Sequence, residues 1–161
     1  MSKTLILIRH AHREVVEPAE DNGLSAKGRG QVEGLVEHLH RHLQREFDGV
    51  RPRFLCSPKK RCRETLGPVA QREKCEFKVD PRLSECSPVE TSREFLERIR
   101  QFAQEWKQGG KELTVICSHG DWIPEFVAEI ANARISIKKA GYVEIREVAG
   151  ECLLSALVQK V

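Results

Sequence analysis

A three-layer α/β/α sandwich around a mostly parallel sheet is the fold class this sequence predicts. Three observations predict it. Short apolar runs such as TLILI, RFLC and LTVIC recur along the chain, each too short to be a helix. They are apolar on both faces, the pattern of strands buried on both sides in a parallel sheet. Between them lie longer segments whose apolar residues return at helical spacing.

The elements follow in order. Residues 3–8 read as a buried strand. The loop after it carries Pro18, Asp21, Asn22 and Gly23 as turn formers. Ser25 is placed to cap a long helix reaching about Phe47, with Val32, Leu35, Val36, Leu39 and Leu43 forming its buried stripe. RFLC, 53–56, is the second strand, and Lys59–Glu73 the next helix, which Pro68 is expected to kink or split. EFKV, 76–79, is a third strand. Thr91–Trp106 is a helix with Phe95, Ile99, Phe102 and Trp106 on one face and a capping-box pair, Thr91 and Glu94, at its start; Gly109-Gly110 ends it. LTVICS, 113–118, is a central strand, and Asp121–Ala131 a helix that tolerates Pro124 in its first turn. Strands at 142–148 and 152–158 are close enough for a hairpin, which would make one sheet edge antiparallel.

Bulk properties narrow the function. The chain has 161 residues, enough to bury a core, and 1–161 reads as a single domain. Hydrophobic residues make up 40% and charged residues 32%, ordinary for a soluble protein, and a net charge of +3 does not point to nucleic acid or a membrane surface. No apolar stretch approaches the ~20 residues of a membrane span. LILI is too short for a signal-peptide core, so the expected location is cytoplasmic. Six cysteines without a C-x-x-C pair are expected to be reduced and mostly buried. His38 and His42 share a helix face, but no cysteine or carboxylate motif completes a metal site, and a solvated face is the expectation.

The informative residues lie after the strands. In such a sheet, ligands bind beyond the carboxyl ends. TLILI is followed by Arg9 and His10; RFLC by Ser57 and Pro58, with Arg61 one turn into the next helix; EFKV by Asp80, Arg82 and Glu85; TVIC by Ser118, His119 and Gly120. Each residue alone has an ordinary explanation, as a capped histidine or a surface arginine. Together they form a site for a dianion, since guanidinium groups bind phosphate oxygens bidentately and stay charged. The amides of the helix after Gly120 add a positive dipole. Nearby arginines favour a neutral imidazole, and a neutral imidazole can attack phosphorus.

These stretches resemble a known family. LIRHAHR resembles the Arg-His-Gly signature of the histidine phosphatase superfamily, also called phosphoglycerate mutase-like. LSAKGRGQ (24–31), SPKKRCRETL (57–66) and SHGDWI (118–123) resemble its three later blocks, in the family's order. The resemblance implies a phosphoglycerate mutase-like fold, with His10 as the nucleophile that becomes phosphorylated. It implies that Arg9, Arg61 and His119 hold the phosphoryl oxygens, and that no metal or other cofactor is needed. Glu85, in RLSE, stands where many members place the acid that protonates the leaving oxygen; the alternative is a surface carboxylate in an exposed loop. Ser57 and Gly120 are candidate substrate-binding residues. Two departures stand out: Ala11 replaces the signature glycine, and Val16 stands where the family often has an Asn that reaches phosphate. Arg13 either compensates by pointing at substrate or is a surface arginine.

Only about ten residues separate Glu85 from the middle of the next helix, so no lid is expected. Short members with Arg-His-Ala starts resemble the SixA-type phosphohistidine phosphatases. A phosphohistidine carrier protein is therefore the first expected partner. A small-molecule phosphomonoesterase using Glu85 is the alternative, and a non-catalytic phosphate-binding module on the same fold the third reading.

Overall fold

Strand β1 (Lys3–Arg9) forms the spine of the sheet. Its central residues Leu5–Ile8 are fully buried because it has a neighbour on each side and helices over both faces. The computed structural model describes residues 2–17 and 20–161. Pro18, one of the expected turn formers, lies outside the described residues. The elements after β1 are α1 (Ala26–Glu46), β2 (Arg53–Cys56), α2 (Lys60–Arg72), β3 (Phe77–Val79), α3 (Ser92–Gly109), β4 (Leu113–Ser118), α4 (Trp122–Ala131), β5 (Tyr142–Val148) and β6 (Glu151–Val158).

They build a six-stranded sheet in the order β3-β2-β4-β1-β5-β6. The first four strands are mutually parallel, and β5 and β6 run antiparallel as a hairpin at one edge. The hairpin turns at Ala149 and Gly150, both at positive φ, the geometry that suits a two-residue turn. Helices α1 and α2 pack Leu35, Leu39, Leu43, Cys62, Leu66 and Val69 on one face, against Ile6, Ile8, Phe54 and Val115. Helices α3 and α4 pack Phe95, Ile99, Phe102, Trp122 and Phe126 on the other, against Leu5, Leu7, Leu55 and Ile116. The α/β/α layering expected from the strand–helix alternation is the observed one.

Local chemistry sets most boundaries. Ser25 accepts a hydrogen bond from the Gly28 amide at 3.0 Å, and Thr91 and Glu94 form the reciprocal capping box. Helix α2 runs through Pro68 without splitting, because Leu66, Val69 and Ala70 on either side are all buried against the sheet. A short 3₁₀ turn, Pro81–Leu83, capped by Asp80, was not expected; it brings the chain from β3 back under α3. The His38–His42 face is not solvated. His38 Nε2 lies 2.9 Å from the Tyr142 hydroxyl and His42 Nε2 2.7 Å from Glu144, because β5 runs beneath the middle of α1 and presents both side chains to it. Of the cysteines, Cys56, Cys62 and Cys117 are buried, Cys75, Cys86 and Cys152 are half-buried, and all are free thiols. No helix among the described residues is long and apolar enough to cross a membrane.

Register positions the site. Arg9 of β1 sits opposite Ser118 of β4, and Cys56 of β2 opposite Cys117. The residues that follow these strands therefore emerge side by side.

Candidate active site

His10 leaves the end of β1 with its amide bonded to the Ser118 carbonyl at 3.1 Å. It is 5% exposed. Its Nδ1 lies 2.8 Å from the Ala11 carbonyl, which only accepts, so Nδ1 carries the proton and Nε2 presents a lone pair. Arg61 donates its Nε–H to that lone pair at 3.2 Å. Burial pushes the His10 pKa down to about 3, and nearby His119, Arg61 and Arg9 push the same way against the bond to Ala11. The ring is neutral at physiological pH.

Arg61 is 2% exposed and is the hub of the cluster. Its second terminal nitrogen donates to Glu85 Oε1 at 2.6 Å and lies 3.3 Å from His119 Nδ1. Because arginine only donates, His119 Nδ1 accepts there, and its Nε2–H points to Ser57 Oγ at 2.8 Å. The His10 and His119 rings meet edge-on, 5.3 Å apart.

Glu85 stands at the rim, its side chain 39% exposed and 3.7 Å from His119. Partial burial disfavours its charge, but the Arg61 hydrogen bond and the positive field of Arg61 and Lys59 outweigh that and hold the carboxyl below its usual range. Its loop is fixed from behind. Arg98 of α3 donates to the carbonyls of Arg82, Ser84 and Glu85 at 2.7, 2.8 and 3.0 Å, and Ser118 Oγ donates to the Leu83 carbonyl at 2.7 Å.

Arg9 is set to one side. It donates to the Ile137 carbonyl at 2.7 Å, and its buried Nε has no partner among the described residues. Its guanidinium lies across Gly120: a side chain there would put Cβ 2.6 Å from the guanidinium carbon. Gly120 thus serves Arg9 by its lack of a side chain.

Arg61, Glu85, His119 and Ser57 converge on His10 or on one another, and Arg9 lies beside them. Arg13 does not join that network; it is half-buried and bridges Leu24 through its backbone. Val16 is 74% exposed. Ala11 is fully buried, its amide donating to Thr65 Oγ1 at 3.0 Å while the Thr65 hydroxyl donates to the Arg61 carbonyl at 2.7 Å. Thr65 therefore ties the residue after the imidazole to the helix turn that presents Arg61. No role was assigned to Thr65 or Arg98 from sequence; Thr65 was visible within SPKKRCRETL, but nothing near Arg98 in the chain signals its reach to Glu85. A cavity of about 1030 Å³ opens between residues 14–16 and 20–24, α1 and α2 and touches neither histidine, so converging cations rather than volume mark the site.

Residues 5–88, more than half of the chain, match the histidine phosphatase superfamily (branch 1). The chain belongs to this superfamily. Solved structures of similar fold include the mycobacterial glucosyl-3-phosphoglycerate phosphatase (15% identity, TM-score 0.78, all of both chains covered). A putative α-ribazole-5′-P phosphatase from Escherichia coli K-12 is 16% identical with a TM-score of 0.79, covering 97% of this chain and 96% of that one. The protein histidine phosphatase SixA, complexed with tungstate, is 15% identical with a TM-score of 0.77 over the same shares. No curated protein matches the sequence. This superfamily member has the α/β fold of its neighbours, a phosphatase's family membership and, at its strand ends, a neutral imidazole under a buried guanidinium.

Proposed function

We propose that this phosphatase hydrolyses phosphate monoesters through a phosphohistidine on His10, with Glu85 as the proton carrier. The observation that carries this reading is the Glu85 carboxylate, 2.6 Å from Arg61 on the open side of the two imidazoles. The substrate's phosphoryl oxygens take the donors of Arg61, with His119 and Arg9 beside them. Arg61 then turns its Nε–H from His10 to oxygen and frees the Nε2 lone pair. Nε2 attacks phosphorus in line, the N–P bond forms and the P–O ester bond breaks. Fixed positive charge meets the charge of the transition state without reorganisation. The incoming dianion also competes for Arg61 and raises the proton affinity of Glu85, which takes up a proton from solvent as substrate binds and gives it to the departing alkoxide. Glu85 next takes a proton from water, water oxygen attacks phosphorus, the N–P bond breaks with its electron pair returning to Nε2, and inorganic phosphate leaves.

Labelled phosphoryl group should be trapped on His10 in alkali-quenched samples and be absent in His10→Ala. Glu85→Gln should lower turnover of glycerol 3-phosphate by about 10²-fold or more, and that of p-nitrophenyl phosphate, whose leaving group needs no proton, by less than about tenfold. Equal losses on both substrates would remove Glu85 from the proton-transfer role.

A second reading is favoured by the open site. The segments flanking it, 84–91 and 132–141, carry no helix or strand that could close over a small substrate. That openness suits a phosphohistidine presented on a carrier protein. Turnover of a phosphohistidine protein far faster than any monoester, and insensitive to Glu85→Gln, would favour it over the first.

A further inference from the structure

Beside the phosphoryl site, the connection between α4 and β5 forms one wall of a groove of about 470 Å³. Arg9, Lys27, Gln31, Lys138, Lys139 and Lys160 line it, and no Asp or Glu side chain does. None of these lysines makes an ion pair among the described residues, whereas fourteen pairs of Lys or Arg with a carboxylate occur elsewhere among them. Lys27 sits in the first turn of α1, where the helix's own partial positive charge disfavours a cation. Lys139 is held below the ordinary lysine range by burial first, then by Arg9, Arg13, Lys27 and Arg61, all of the same sign.

The groove is a built feature. Gln159 accepts from the Lys138 amide and donates to the Ser136 carbonyl, both at 2.8 Å, which pins the connection to the end of β6. Ala140, buried and at φ +59°, is held in a left-handed conformation that a residue with a side chain adopts only under constraint, and its amide bonds the Arg9 carbonyl at 3.1 Å. The other flanks carry more carboxylates than cations: Glu85, Glu90 and Glu94 beside Arg98 on one side, and Glu20, Asp21 and Glu64 beside Arg29 and Lys60 on the other.

We propose that this groove is a second anion subsite, and that the substrate is a small molecule carrying a phosphate or carboxylate in addition to the phosphoryl group that is transferred. Lys27 and Lys139 hold the second anion, and Arg9, which belongs to both places, stands between the two. The volume is that of a small-ligand site. A broad acidic protein face would meet the carboxylates of the neighbouring flanks, which favours a compact ligand over a macromolecule. The inference deepens the phosphatase reading through Arg9, but its test is binding and needs no turnover.

Calorimetry on the intact protein compares methylphosphonate, which offers one anion, with propane-1,3-diphosphonate, which offers two. The diphosphonate should bind at least about tenfold more tightly, the scale of one or two added charge-assisted hydrogen bonds. In Lys27→Gln/Lys139→Gln that advantage should shrink to within about twofold, with methylphosphonate affinity unchanged within the same margin. No advantage in the wild type, an advantage that survives the double substitution, an equal loss for both ligands, or no binding of either would overturn the subsite. So would a lysine-dependent gain seen only with a phosphopeptide flanked by aspartates, which would make the groove a protein-docking site. Failure of the catalytic reading would show separately, as diphosphonate binding without hydrolysis of any monoester.

Discussion

Two clusters in this chain use the same side-chain types, histidine, arginine and glutamate, to opposite ends. Beneath α1, Glu144 is 1% exposed and accepts from His42, Arg146 and Ser155 at 2.7, 2.8 and 2.9 Å. Burial works against its charge, yet these three bonds hold its pKa down to about 2. Each formal charge there has a partner. At the strand ends, the buried Arg61 meets only rim carboxylates, Glu85 at 2.6 Å and Asp21 at 4.0 Å, 39% and 43% exposed, and Arg9, whose buried Nε has no partner, makes no ion pair among the described residues. Buried positive charge is left over. A cluster whose charges are all matched is a structural joint; one with surplus buried cation stores binding energy for an anion that arrives later.

The sharpest way to break this comparison is to remove the hub of each cluster. Arg61→Gln should lower kcat on a phosphate monoester by about 10³-fold, the scale of losing a preorganised transition-state donor. Its melting temperature should fall only modestly, because the glutamine amide can still donate to one of the acceptors that Arg61 leaves and a buried charge is removed with it. A large loss of stability with little loss of rate would mean that Arg61 is a structural ion-pair residue.

Glu144→Ala is the mirror experiment. Leaving His42 and Arg146 without their buried partner should cost about 3 kcal/mol of stability, read from urea unfolding. The folded variant should keep kcat within about twofold, since Glu144 touches no residue of the strand-end cluster. A large fall in kcat at full occupancy of the folded state would couple the two clusters and undo the distinction between them.

Much of the strand-end cluster was legible in the sequence because each member follows a short apolar run directly. Parallel strands in register deliver such residues to one edge, so His10, Ser57 and His119 needed only the strand assignments, and Arg61 one helical turn more. The Glu144 cluster was not legible. It depends on β5 lying beside β1 under α1, a pairing across more than a hundred residues with no local signal, and for that reason His42 read as solvated. Thr65 was visible but mute, since its hydroxyl acts between Ala11 and Arg61 only after α2 has docked. The lysine groove is the hardest case. Lys27, Lys139 and Lys160 come from a helix start, a loop and the end of the chain, and a net charge of +3 conceals their segregation from the carboxylates.

Acid titration separates the clusters by pH window. His10 has its ordinary value of 6.5 in the unfolded chain and about 3 when folded. As pH falls below 6.5, the unfolded chain takes up a proton that the folded site refuses, so stability falls, by up to about 1.4 kcal/mol per pH unit. Glu144 moves from 4.5 to about 2, so its contribution is complete above the higher value and is lost only below it. His38, also held down by burial, shares the first window, so the readout is the difference between each variant and the wild type. Between about pH 7 and pH 5, His10→Asn should lose roughly 1–2 kcal/mol less stability than the wild type, while Glu144→Gln should run parallel to it. Below about pH 4.5 the Glu144→Gln curve should flatten in its turn. A His10→Asn curve parallel to the wild type throughout would mean that residue 10 gives up no charge on folding, and the contrast between a spent cluster and a poised one would fail at its central imidazole.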